Sequence, residues 1–225
     1  QLVHVLTRRG YAPLMDTEPL KNLLLDKLDV TKLRHSEYEI IITATNILKS
    51  QLKFFSQRVI DIEHVMASSA IPILFPWQYI DGEPYWDGGI MANTPLLPAL
   101  ERGCKEIIVV LLSPVGGARL SPPATRRQAL ERVFEMSLIG SYEAFMSHLA
   151  YEYKQRSQQS VIRKLIRRTL TLGDTRIATV APGQMLGFYS ILNFSARQAD
   201  TLIHEGYMDA RNQLSQFFGL DEAPY

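Results

Sequence analysis

With 225 residues, 46% hydrophobic and 21% charged, the chain can bury a sizeable core and lies far from the composition of a disordered segment. A formal net charge of +1 supplies no overall pull toward nucleic acid, so no nucleic-acid partner is expected and any electrostatic preference must come from a local cluster. One cysteine, Cys104, excludes an internal disulfide, and the longest apolar run, Ile107 to Leu112, is far short of the ~18 residues that a membrane span needs.

Thr17-Glu18-Pro19 starts a helix on which Leu20, Leu23, Leu24 and Leu28 recur on one face, and the spacing predicts that this stripe is core. Tyr38 to Thr45 ("YEIIITAT") is rich in β-branched and aromatic residues and reads as a strand, with Gln51 to Phe55 as its pairing partner after Asn46 breaks the run. A helix follows over Ile62 to Ser69 and stops before Pro72, which disfavours the α region at Ile71 and has no backbone donor. Asp81-Gly82 lies between two aromatic-rich extended segments and predicts a type I′ hairpin turn. Thr94 then caps a helix with Pro95 in its first position, Gly103 ends it in the αL conformation, and Glu106 to Leu112 is a buried strand. Strand, helix and strand in that order predict a βαβ unit, and hence an α/β fold.

Pro114, Gly116, Gly117, Pro122 and Pro123 mark a loop. Arg126 to about Arg168 reads as one long helix or two shorter ones, with apolar stripes at Leu130, Val133, Phe134, Leu138, Phe145 and Leu149. Within that region Lys154, Arg156, Arg163, Lys164, Arg167 and Arg168 form a basic segment without an acidic residue. It is either a solvated helix face or a contact with an anionic membrane surface, worth at most ~1 kcal/mol per basic residue. Ser195-x-x-Gln198 makes a capping box before a helix carrying Ala199, Leu202, Ile203 and Tyr207.

No metal site is expected, because His4, His35, His64, His148 and His204 are scattered without a His or Cys at ligand spacing. The two common phosphate-cradling glycine motifs are missing as well, and no cofactor is expected. A Ser-His-Asp set from Ser68 or Ser69, His64 and Asp87 competes with a plainer reading. In that reading the serines are small residues packing at a helix end and His64 is a structural helix residue.

The stretch from Ala67 to Pro95 carries more. "ASSAIPILFP" supplies Ala67, Ser68, Ala70, Pro72, Phe75 and Pro76; "YWDGGIMANTP" supplies Asp87, Gly88, Gly89, Asn93 and Pro95. In order and spacing these residues resemble the patatin-like phospholipase family, and "YEIIITATNI" and "FSARQADTLIHEGYMDA" resemble it more weakly on either side. The resemblance implies a three-layer α/β fold whose mostly parallel sheet is flanked by helices, with 1–225 as a single domain and 119–170 as a mainly helical insertion or cover. It also implies hydrolysis of phospholipid or related esters by a serine–aspartate dyad, in which Asp87 is the aspartate. A carboxylate of ordinary pKa ~3.9 is a weak base toward a hydroxyl. Tyr85, Trp86, Ile90 and Met91 are therefore expected to exclude water and raise it. Gly88 and Gly89 are expected to supply positive φ and close backbone approach, with Asn93 and Pro95 as structural support.

The family's serine elbow, G-x-S-x-G, occurs nowhere in the 225 residues, so the nucleophile is not in this chain. The expectation is that the chain is the downstream part of the domain, truncated on its N-terminal side and inactive alone. The contrasting expectation is a non-catalytic lipid-binding module of the same fold. Either protein would be cytoplasmic, with peripheral membrane contact through the basic segment.

Overall fold

The computed structural model describes residues 13–115, 122–156, 169–172, 174–183, 193, 195–215 and 217–219. The chain divides into two compact units, Gln1–Asn93 and Thr94–Tyr225. The architecture is mixed α/β, with a parallel strand pair and flanking helices.

In the first unit, α1 (Glu18–Lys27) and α2 (Val30–Arg34) precede β1 (Ile41–Asn46) and β2 (Gln51–Ser56). Next come α3 (Ile62–Ser68), β3 (Gln78–Ile80), β4 (Glu83–Asp87) and the single turn α4 (Gly89–Ala92). The four strands form one antiparallel sheet in the order β2-β1-β4-β3. α3 packs against β1, β3 and β4, and its buried Ala67 joins Ala44, Ile80 and Tyr85 in the core of this unit.

Local sequence explains several of these elements. Asp81 and Gly82 have φ of 50° and 78°, the two positive values of a type I′ turn, and Ile80 pairs with Glu83 across it. Asp61 caps α3: its side chain accepts from backbone N–H groups of the first turn, while His64 Nδ1 accepts the Asp61 N–H at 3.2 Å. The ring of His64 also meets Phe55 edge-on at 4.6 Å, so His64 is a structural helix residue as expected. The leucine stripe of α1 departs from expectation. No residue of that helix is fully buried and Leu23 is 54% exposed, because the helical period specifies a face without specifying what covers it. Likewise β1 starts at Ile41, leaving Tyr38 exposed outside the ladder.

In the second unit, α5 (Leu97–Glu101) is followed by β5 (Glu106–Val110), α6 (Arg126–Arg156), β6 (Thr169–Leu172), β7 (Thr175–Val180) and α7 (Ala196–Leu214). The sheet order is β5-β7-β6, with β5 parallel and β6 antiparallel to β7. β4 and β5 lie in separate sheets, so the expected βαβ unit does not form; β5 takes β7 as its parallel partner instead. Antiparallel pairing predominates among the described strands, since β1–β2, β3–β4 and β6–β7 are joined by connections too short for a parallel crossover.

The helix expected to begin at Thr94 and Pro95 begins instead at Leu97, and its N-cap Leu96 makes no side-chain bond. Pro98 explains the shift. A helix with Pro95 in its first position would place Pro98 in the fourth, where a backbone donor is needed; starting at Leu97 puts it in the first turn. Gly103 ends the element with φ 67°, as expected. β5 is buried on one face only, through Ile107 and Val109, while Ile108 and Val110 are exposed. Its inner face packs with Leu96, Leu111, Tyr142 and Ile177, and half-buried Cys104 joins this cluster.

α6 is one continuous helix over its described length. Tyr142 bonds Thr179 of β7 through its hydroxyl at 2.8 Å, whereas Leu130 and Val133 face outward. α7 opens with Ser195 Oγ accepting the Gln198 N–H at 3.3 Å, the N-cap bond that the sequence predicts. Gln213 ties the helix to the sheet: its amide accepts the Ala181 N–H at 3.0 Å and donates to the Ala181 carbonyl at 2.9 Å. Ile203 and Tyr207 of this helix are exposed. Lys154 and Arg156 lie on α6 with side chains outside the described residues, and Arg163, Lys164, Arg167 and Arg168 lie outside them altogether. Among the described residues no helix is long and apolar enough to cross a membrane.

Candidate functional site around Asp87

The hairpin β3–β4 delivers Asp87 to the end of β4, and the β1–β4 register places Ala44 directly opposite it. That register has a polar lock. Asn46, fully buried, donates through Nδ2 to Glu83 Oε2 at 2.6 Å and accepts the Lys49 backbone N–H at 2.9 Å. Glu83 is also ion-paired to Lys49 and accepts from the Tyr85 hydroxyl at 3.5 Å. A satisfied buried amide of this kind penalises a slipped register, which would strand its polar atoms.

Asp87 is held at three points. Its backbone N–H donates to the Ala70 carbonyl at 2.9 Å, in the turn after α3. Its carbonyl accepts the Thr45 hydroxyl at 3.1 Å, and its carboxylate Oδ1 accepts the Gly89 N–H at 2.7 Å. Because side chains alternate along a strand, the carboxyl shares a face with buried Tyr85 and Ala44, the face that carries α3. Burial pushes the Asp87 carboxyl above the ordinary aspartate range, and the hydrogen bond from Gly89 offsets part of that rise. A raised pKa makes a stronger base, which suits a carboxylate that must accept a proton from a hydroxyl. Ile90 and Met91, expected to help exclude water, are instead 46% and 43% exposed, while Tyr85 is buried.

The glycines serve close approach rather than positive φ. Gly88 has φ −63°, a value open to any residue, but a Cβ on it would stand 2.2 Å from Thr43 Oγ1 and 2.9 Å from the Thr43 backbone carbon. The neighbour that demands glycine at position 88 is therefore β1. A Cβ on Gly89 would stand 3.1 Å from Asn93 Oδ1 and 3.2 Å from Asp87 Oδ1, so Asn93 flanks the same turn. Pro95 is exposed between α4 and α5, outside both.

Of the other candidates, Ser69, the C-cap of α3, donates through Oγ to the Val65 carbonyl of that helix at 2.9 Å, and His64 spends Nδ1 on the N-terminal cap of α3. Both residues thus have local roles that account for them without a triad. Among the described residues no three His, Cys, Asp or Glu side chains gather as a metal site. Thr43, Thr45 and the Ala70 carbonyl are site residues that sequence reasoning missed. The alternation in "TAT" put both threonines on one face of β1, but only the ladder brings them to Asp87.

Residues 2–100 match the family model of the patatin-like phospholipases. The matched segment contains β1 to β4, Asp87, both motif glycines and Asn93. No curated relative matches the chain.

Proposed function

We propose that these residues form the aspartate-bearing part of a serine-dependent lipid acyl hydrolase, with Asp87 as the base of a serine–aspartate dyad. The observation that carries the reading is the seat of Asp87. It is a half-buried carboxylate with a raised pKa, fixed at a strand end within a segment that matches the patatin-like phospholipases. In the proposed reaction Asp87 accepts the serine proton as the oxygen attacks the ester carbonyl, and the proton then passes to the departing alcohol, leaving an acyl-serine for water to hydrolyse. General-base assistance of this kind contributes ~10²–10⁴-fold.

No G-x-S-x-G elbow occurs in the sequence, so the proposed dyad takes its serine from outside these 225 residues, and the chain alone does not turn over esters. Incubation with a fluorophosphonate probe and a short-chain ester tests this. The expected result is neither labelling nor turnover; stoichiometric labelling together with turnover abolished in Asp87→Asn would place the nucleophile inside the chain.

Peripheral contact with anionic lipid through Lys154, Arg156, Arg163, Lys164, Arg167 and Arg168 belongs to the same proposal and rests on their sequence alone. Sedimentation with anionic and neutral vesicles tests it, and absent or salt-insensitive binding removes it.

A further inference from the structure

We propose that Thr45 is a positioning residue of the Asp87 site, fixing the carboxyl through the backbone without touching it; this rests on the reading of Asp87 given above.

Asp87 ends its strand, and its backbone N–H and carbonyl bond partners other than Ala44, the residue it faces across the ladder. Its N–H turns to the Ala70 carbonyl, and its carbonyl receives the Thr45 hydroxyl. The peptide planes on both sides of its Cα are therefore pinned by partners on different elements, one after α3 and one on β1. The remaining freedom is side-chain rotation, and the Gly89 N–H bond to Oδ1 restrains that. Only the Thr45 bond comes from a side chain, so only that restraint can be deleted by substitution without moving the backbone.

Thr45 is 6% exposed, so its hydroxyl has little access to water as an alternative partner. Its neighbours on the strand reinforce the placement. Ala44 is fully buried opposite Asp87, and Thr43 abuts Gly88, so the Thr43-Ala44-Thr45 segment is the floor on which Asp87-Gly88 rests. Valine has nearly the same shape as threonine and keeps the β-branched preference for a strand, which makes Thr45→Val a deletion of the hydrogen bond alone.

The test is carbon-detected NMR of the carboxyl of Asp87, with amide exchange at Gly89, in the full 225-residue chain. Thr45→Val is expected to keep its circular dichroism spectrum, to move the Asp87 titration midpoint toward that of an ordinary aspartate, and to speed Gly89 amide exchange by about fivefold or more, the factor matching one net hydrogen bond. Thr45→Ser, which restores the hydroxyl, should return both readouts toward wild type. A Thr45→Val chain that is folded and identical to wild type in both overturns the proposal. Should Thr45→Val fail to fold, the wild-type Thr45 hydroxyl proton decides: protection from exchange supports the bond, and exchange as fast as at an exposed threonine overturns the proposal. None of these readouts involves ester turnover. A failure of Thr45 therefore leaves the catalytic reading of Asp87 standing, and a failure of that reading leaves these outcomes interpretable.

Discussion

Gly88 lies so close to Thr43 that a single added carbon would stand 2.2 Å from the threonine hydroxyl oxygen. The nearest backbone atom, the Thr43 carbonyl carbon, is 2.9 Å away, so rotating the threonine side chain cannot relieve the clash completely. Gly88→Ala is expected to destabilise the chain by ~1–3 kcal/mol, the usual cost of overpacking. Gly89→Ala meets only side-chain oxygens at 3.1 and 3.2 Å and should cost less. Thermal unfolding of the two variants side by side checks the order, and equal losses would contradict it.

Burying Asp87 has a stability consequence with a definite sign. Its folded pKa lies above the unfolded value, so the folded state binds more protons and the contribution of this group is lost as pH rises through the folded pKa. Asp87→Asn removes that loss. Relative to wild type, the Asn variant should gain stability as pH rises from about 4 toward 8, because the unfolded carboxyl titrates near ~3.9. Urea midpoints of both proteins at the two ends of this range measure the change, and a shift in favour of wild type would show that the carboxylate is stabilised where it sits.

His64 responds in the opposite pH sense. Burial lowers its pKa, against the opposing pull of Glu63, Asp81 and Asp61, and its Nδ1 must stay unprotonated to accept the Asp61 N–H. The unfolded chain therefore binds the extra proton first, and stability is lost as pH falls from ~6.5 toward the folded pKa. His64→Gln, with no titrating ring, should flatten the stability profile over that window. A profile with the same slope in both proteins would argue against the cap as the source.

Asn46→Ala takes the acceptor from the Lys49 N–H and one of the donors from Glu83, which keeps Lys49 and Tyr85, and should cost ~1–3 kcal/mol. Asn46→Asp keeps the size and the acceptor but sets a second carboxylate beside Glu83, so it should not rescue. Chemical denaturation of the two variants measures both effects.

How much of this was legible follows the range of each interaction along the chain. The Asp81-Gly82 turn, α3 with its stop before Pro72, and the αL end at Gly103 depend on a few adjacent residues, and the sequence predicts each. Thr94 and Pro95 misplaced the start of α5 because a local cap signal competes with a second proline three positions on, and the backbone donor requirement decides. The leucines of α1 show a period without showing what covers it. Asp87 stood out through its motif, whereas Thr43 and Thr45 reach it only through the pairing of Ala44 with Asp87, a register that no local pattern announces.

The catalytic reading of Asp87 is tested most directly by lipid-ester turnover of a polypeptide that joins these 225 residues to a G-x-S-x-G segment, comparing wild type with Asp87→Asn at matched folded concentration. A loss of ~10²-fold or more in kcat, with the unfolding midpoint retained or raised, is the predicted result. Turnover within a few-fold of wild type in a folded Asp87→Asn protein would contradict it, and would leave Asp87 as the carboxylate that caps the turn at Gly89.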